Sequence, residues 1–435
     1  MTKSLTQRHV WRLWLPLAAM WLLMSLEQPT LSAVIARLPE PTLNLAAYGL
    51  TFSIALIVES PVIMFLTLAT ALARSQQAYG MLMRFTHLMA WGLTAFHLLL
   101  GLSPLYAWIL GELVGAPAEV IEPSRIAFLL MTPWTGAIAY RRMWQGVMIR
   151  YGRTQFLFLT TAIRLLATGA VAMAGLASGA LPGASVAGLA ISVGVIADAA
   201  AAGVLVRPVV HQHLSSQQPG DFILQWPYLL RFYIPLAMTS LINLAAQPIV
   251  SLGLSRGPLP LESLAVWPVV SGLTFLLRSG GVALQEVAVA LLADRESYQI
   301  LRRFARRLAL ALTGVAALVT LTPLANLWFT GVTDLPTDLA GMARTAAAIL
   351  VLVPALTVLT SWQRGVLVHF SRTGAITVAT AINITVLLAV VLGGVRVLPW
   401  PGVATAALAL SASLMMEVVY LTSRARGARR TAAWT

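Results

Sequence analysis

A small set of polar and ionisable residues interrupts runs that are otherwise apolar. Glu27 and Gln28 precede Pro29 in LMSLEQPTLSAVIARLPEP (Leu23 to Pro41), and Gln247 precedes Pro248 in LINLAAQPIVSLGLSRGPLP (Leu241 to Pro260). In both stretches an Arg follows the Gln by nine residues, and a Pro-x-Pro follows the Arg. Proline removes a backbone donor and clashes with the preceding turn, so each helix is expected to kink at its Gln-Pro, with freed carbonyls available to line a cavity. Glu27 occurs in one stretch only, Ala246 standing at its place in the other. A carboxylate beside an unwound turn suits a proton, a cation or a substrate contact. The bland alternative is a structural kink with Glu27 hydrogen-bonded to a neighbouring helix.

Five further positions have the same character. Glu59-Ser60-Pro61 and Arg278-Ser279-Gly280-Gly281 each place a charge just before a helix breaker, Pro61 in one and Gly280 in the other, with opposite signs. Arg164 lies about 15 Å into its apolar run at the usual helical rise, with Asn383 at the matching place in the second half. Asp198 and Glu417 stand near the middle of two further runs. An ionisable residue at such depth is costly and usually faces a cavity or a partner. Glu59 and Arg278 read as an ion pair between halves that opens and closes, or as charges that pair within their own halves. Arg164 reads as a fork for phosphate or carboxylate, or as the buried partner of a carboxylate such as Asp198. Asp198 and Glu417 read as proton-coupling groups, or as hydrogen-bonded carboxylates without that role. His87 and His97 read as interfacial or core histidines.

The elements that hold these residues follow from composition. Of 435 residues, 58% are hydrophobic and 10% charged, against about 25% charged in soluble proteins; the mean hydropathy is +0.82. Such a chain belongs in a bilayer. Twelve runs are long enough to span: roughly 11–34, 43–73, 81–111, 124–149, 154–179, 184–207, 228–254, 262–292, 304–330, 342–368, 373–395 and 402–423. With the N-terminus inside, the inner segments collect Lys3, Arg8, Arg74, Arg141, Arg142, Arg150, Arg207, Arg302, Arg306, Arg364 and Arg424, among others. The outer ones hold Arg37, Arg125, Arg256, Arg344 and Arg396. This bias places both termini in the cytoplasm of an inner (plasma) membrane. The first apolar run lacks a small-residue cleavage site and reads as a retained helix.

The two opening stretches are copies. An offset of 219 residues pairs Pro16 with Pro235, Gln28 with Gln247, Arg37 with Arg256, Pro104 with Pro323, Pro182-Gly183 with Pro401-Gly402, and Asp198 with Glu417. Each copy holds six spans, an even number, so both enter the membrane from the same side. The expected fold is an all-α polytopic membrane protein of 12 transmembrane helices. They form two parallel-repeat six-helix lobes, residues 1–215 and 216–435, with a substrate space between them.

This 6+6 pattern resembles the multidrug/oligosaccharidyl-lipid/polysaccharide (MOP) flippase superfamily, with a MATE-like architecture. EQPTLSAVIARLPEPTLNLAAYGLTFSIALIVESP, AAQPIVSLGLSRGPLPLESLAVWPVV, RIAFLLMTPWTGAIAYRRMWQGVMIRYGRT and the region of Glu417 are similar to the progressive ankylosis (ANK) protein family. That resemblance implies export of small anions such as citrate, ATP or pyrophosphate. The chain lacks the long polar C-terminal tail associated with animal members.

The expected function is secondary active export of a small anionic or amphipathic substrate by alternating access, with proton or sodium coupling, by a monomer among membrane lipids. Arg164 and Arg278 motivate the anionic preference. The alternatives are a lipid-linked saccharide flippase and a cation-coupled multidrug exporter. A membrane enzyme acting on lipid-linked substrates would need a carboxylate or His cluster at the surface, and the short loops offer none. There is no phosphate-binding Gly-Lys-Ser/Thr loop, no catalytic constellation, no paired metal ligands and no cysteine. No cofactor is implied. The cationic stretch RRFARRLAL (Arg302 to Leu310) reads as a lipid-anchoring helix start rather than a nucleic-acid patch.

Overall fold

The computed structural model describes residues 6–214, 223–370 and 372–431. Lys3 and the expected 215/216 boundary lie outside the described residues. Eleven helices among the described residues are long and apolar enough to cross a bilayer. The remaining expected span, 124–149, falls in the helices Ala118–Leu130 and Thr132–Arg150. With it, the helical runs follow the twelve expected spans, and the chain is an integral, multi-pass, all-α membrane protein.

The helices divide into two compact units, Val34–Ser251 and Met1–Ala33 with Leu252–Thr435. These are not the two sequence halves, because the first helix of each repeat is exchanged. Gln7–Ser25 packs on Pro260–Val282, and Trp226–Leu244 packs on Pro41–Ile63. Aromatic donors fix both exchanges. The Trp14 indole donates to the Gly280 carbonyl at 2.9 Å, and the Tyr233 hydroxyl donates to the Pro61 carbonyl at 3.2 Å. Trp14 packs edge-on to Phe304 and Tyr233 edge-on to Phe85. Every one of these residues corresponds to its counterpart through the 219-residue offset. The breakers Pro61 and Gly280 thus offer carbonyls that the first helices occupy. Gly280 also leaves room: a Cβ there would lie 3.0 Å from Trp14.

The repeat recurs in backbone detail. Helices break at Leu26 and Ala245, at Met64 and Ala283, and at Met131 and Leu350, each pair 219 apart. Left-handed residues fall at Glu40 and Leu259, and at Gly115 and Asp334. Ser192 donates to the Leu130 carbonyl and Ser411 to that of Ile349. Gly146 faces Phe65–Leu72 and Gly365 faces Leu284–Leu291 so closely that a Cβ would lie 2.5 Å from the Leu66 carbonyl oxygen and from the Ala288 Cβ respectively.

The expected kinks at Gln28-Pro29 and Gln247-Pro248 take the form of breaks one turn earlier. The helices end at Ser25 and Leu244, each the residue four before its proline. That is the carbonyl whose partner proline removes. Gln28-Pro29 and Gln247-Pro248 then occupy the first turns of Glu27–Ala36 and Ala246–Arg256, where proline is tolerated.

Candidate functional site

In the unit Val34–Ser251, four helices bring five charged residues together. Pro41–Ile63 carries Glu59, Thr132–Arg150 carries Arg141 and Arg142, Gln155–Ser178 carries Arg164, and Gly183–Leu214 carries Asp198. Arg141 Nη1 donates to Asp198 Oδ2 at 2.9 Å, with side chains only 4% and 1% exposed. Glu59 is buried and lies within the field of Arg141, Arg142 and Arg164. The cluster therefore sets three guanidinium groups against two carboxylates. Among the described residues Glu59 Oε2, Arg142 Nε and Asp198 Oδ1 have no hydrogen-bond partner. A desolvated polar atom of this kind costs free energy when left unmade and is ready to take a partner.

The other unit has a corresponding centre. Glu417 on Gly402–Thr431 is buried and accepts at Oε1 from Arg364 Nη2 at 2.6 Å and Nε at 3.1 Å. Its Oε2 accepts from Asn383 Nδ2 at 3.0 Å. Arg364 also donates to Thr380. Asp198 and Glu417 are equivalent, but their arginines are not. The 219 offset places Thr360 at the position of Arg141, and Gln145 at that of Arg364. The cation has moved by four residues, one helical turn, along the same helix face, and still meets the carboxylate of the last helix. Here the structure places Asn383 beside Glu417, while Arg164, its counterpart, lies near Glu59 and Arg142.

The remaining expected residues are more dispersed. Arg278 is half-buried with its guanidinium over the Phe275 ring at 5.7 Å, and its Nε has no partner among the described residues. Glu27 and Gln28 are half-buried beside the break, and Gln247 is exposed. Asp198 takes Arg141 rather than Arg164. His97 is a core histidine held between Thr135 Oγ1 and the Phe128 carbonyl, both at 2.8 Å, and His87 meets the Tyr140 hydroxyl. The described residues contain no group of three or more potential metal ligands.

Arg141, Arg142 and Arg364 were counted with the inner segments although they fall in the spans 124–149 and 342–368. The structure sets them inside Thr132–Arg150 and Val353–His369. The signal that could have found them is the i, i+4 spacing of Arg141 and Gln145 read against Thr360 and Arg364.

No family model matches the chain, and no curated protein matches it. Solved structures do. An inward-facing multidrug resistance MATE family transporter of the MOP superfamily is 13% identical with a TM-score of 0.70, covering 94% of this chain and 96% of that one. The lipid II flippase MurJ in an inward closed conformation is 14% identical with a TM-score of 0.68, covering 94% and 87%. A Vibrio cholerae MATE transporter in the bent form is 16% identical with a TM-score of 0.57, covering 98% and 99%. At these identities the likeness is one of fold, and the chain has the fold shared by MATE transporters and the MurJ flippase.

Proposed function

We propose that the chain is a secondary active exporter of a small anionic or amphipathic solute, working by alternating access. The observation that carries this reading is the Arg-rich cluster in which Glu59, Arg141 and Asp198 are buried and Arg142 and Arg164 half-buried. Three guanidinium groups gathered with two carboxylates in an apolar bundle suit a phosphate or carboxylate, and ionisable groups inside a membrane segment usually face a cavity or a partner. The shared fold with MATE transporters supports transport as the class of activity. Asp198 with Arg141, and Glu417 with Arg364, are proposed as the groups that couple transport to protons or sodium, since a carboxylate that trades an arginine for a cation changes the charge of its unit. Glu27, Gln28 and Gln247, at the breaks made by Pro29 and Pro248, are proposed to line the solute path, with Arg278 as a second anion contact. The lobes 1–215 and 216–435 are retained as the evolutionary repeats. The protein is placed in an inner (plasma) membrane as a monomer, both termini cytoplasmic.

The similarity of EQPTLSAVIARLPEP and its repeat partner to the ANK family supports small polyanions as substrates. Vesicles reconstituted with the purified chain and loaded with citrate, nucleotide or pyrophosphate test this. Efflux of at least one of them, accelerated by a pH or sodium gradient, is expected. A second reading, flipping of a lipid-linked saccharide, is favoured by the likeness to MurJ. It predicts translocation of a lipid-linked saccharide probe and no efflux of soluble anions in the same vesicles.

A further inference from the structure

The unit Val34–Ser251 contains a groove of about 840 Å³ that none of the transport residues line. It lies between the start of Gln76–Leu102 and the end of Gly183–Leu214, with Trp144 in its wall. Its mouth carries polar groups and one cation, Arg207, beside Val210 and Leu214. Arg207 and His211 stand on one helix and Gln76 on the other, all within the terminal turns, and no Asp or Glu lines it. Deeper in, the lining turns apolar, with Gly80, Gly203 and Val204. The run from His211 to Ala200 covers about 16 Å at the helical rise, close to the roughly 15 Å depth of one leaflet's hydrocarbon. The wall is preformed, because the Trp144 ring packs where a Cβ on Gly203 would come within 2.9 Å of it. On the facing helix, a Cβ on Gly80 would meet nothing within 4 Å.

We propose that this groove binds a phospholipid with an anionic headgroup, its phosphate at Arg207 and His211 and one acyl chain along Trp144 between Gly80 and Gly203. The order of the lining argues for this occupant. A cationic mouth at the helix ends above an apolar slot of leaflet depth matches one amphiphile with its anion outermost. A soluble anion has no use for the slot, and a neutral lipid has none for the Arg207 cation. Juxtamembrane cations attract anionic lipid strongly enough to give about fivefold preference per contact.

The test uses the full chain in liposomes holding phosphatidylglycerol and phosphatidylcholine in equal amounts. A photoreactive benzoylphenylalanine replaces Val204, which is 58% exposed in the groove wall, and the adducts are identified by mass spectrometry. Phosphatidylglycerol adducts are expected to exceed phosphatidylcholine adducts about fivefold. Arg207→Gln is expected to bring the ratio near one while keeping total labelling. Gly80→Phe is expected to lower both adducts severalfold, with a melting temperature unchanged from the parent, since the added ring enters empty space. Equal labelling of the two lipids in the parent would show ordinary boundary lipid and overturn the proposal. A ratio untouched by Arg207→Gln, or adducts to protein in place of lipid, would overturn it as well. Thermal stabilisation by added phosphatidylglycerol, absent in Arg207→Gln, is the second readout and does not depend on the photoprobe.

Discussion

Removing Asp198 alone tests whether the buried pair is the electrostatic keystone of its unit. Arg141 is 4% exposed and its bond to Asp198 is 2.9 Å long. Asp198→Leu therefore removes one of two carboxylates and leaves Arg141, Arg142 and Arg164 facing Glu59 alone. Breaking one side of a buried pair costs about 3–5 kcal/mol, whereas replacing both partners with apolar groups is often neutral. At about 2–4 °C per kcal/mol for a unit of this size, the single variant should melt about 6–20 °C below wild type. The double variant Arg141→Met with Asp198→Leu should recover most of that difference. The equivalent centre supplies an internal control. Arg364 is 26% exposed, and Glu417 keeps its bond from Asn383 when Arg364 is lost. Arg364→Gln should therefore cost less, about 1–3 kcal/mol. Thermal unfolding in detergent, followed by near-ultraviolet circular dichroism, reads all four proteins. A single variant within about 2 °C of wild type, or a double as unstable as the single, would refute the reasoning.

Gly280→Leu should displace Trp14 and destabilise its unit by about 1–3 kcal/mol, while Trp14→Phe, which removes the indole bond and part of a buried ring, should cost about 1–3 kcal/mol; equal melting temperatures for both and wild type would show that the exchanged helix is not held this way. Pro29→Ala should restore the Ser25 carbonyl's partner and straighten the first helix, so that spin labels at residues 15 and 30 approach the roughly 22 Å of a continuous helix; an unchanged distance would place the cause of the break elsewhere. The charge swap Glu59→Arg with Arg278→Glu should not rescue transport, because Glu59 lies in the field of arginines of its own unit; rescue would establish a direct pair instead. Asp294 caps Arg295–Leu321 by accepting from the Ser297 N–H at 2.7 Å, and that bond holds its carboxyl below the usual range. A lowered folded pKa gives stability that is present above the unfolded value, near 3.9, and lost as pH falls through the folded one. Asp294→Ala should thus lower the melting temperature at pH 7, with the gap shrinking below about pH 4; a gap constant with pH would assign the effect to packing.

The repeat was the most legible feature of this chain, because proline, glutamine and arginine at one spacing stand out against Leu/Ala-rich background. The structure extends it to helix breaks and left-handed residues that no side-chain type announces, such as Glu40 and Leu259. The break position also follows from the proline, once its effect is traced to the carbonyl four residues earlier. Asp198 and Glu417 were legible as equivalent buried carboxylates, but their partners were not. A cation shifted by one turn between repeats breaks the positional match that exposed everything else. Arg141 and Arg142 were also counted toward the inner-segment bias, because hydropathy cannot distinguish a charge at a helix end from one facing a packed interior. The exchange of the first helices was hidden for a different reason. Trp14 and Tyr233 look like ordinary belt aromatics, and only their hydrogen bonds to Gly280 and Pro61 reveal which bundle they join.

The central claim is that this protein carries an anionic solute across the membrane through its Arg-rich interior. The most direct test is the initial rate of radiolabelled citrate and pyrophosphate efflux from vesicles containing only this chain, with an imposed pH gradient. The account predicts saturable, gradient-dependent efflux of at least one of the two, reduced at least tenfold in Arg142→Gln with Arg164→Gln while the protein remains folded. Efflux no faster than from protein-free vesicles under any gradient, or efflux indifferent to both arginines, would contradict it.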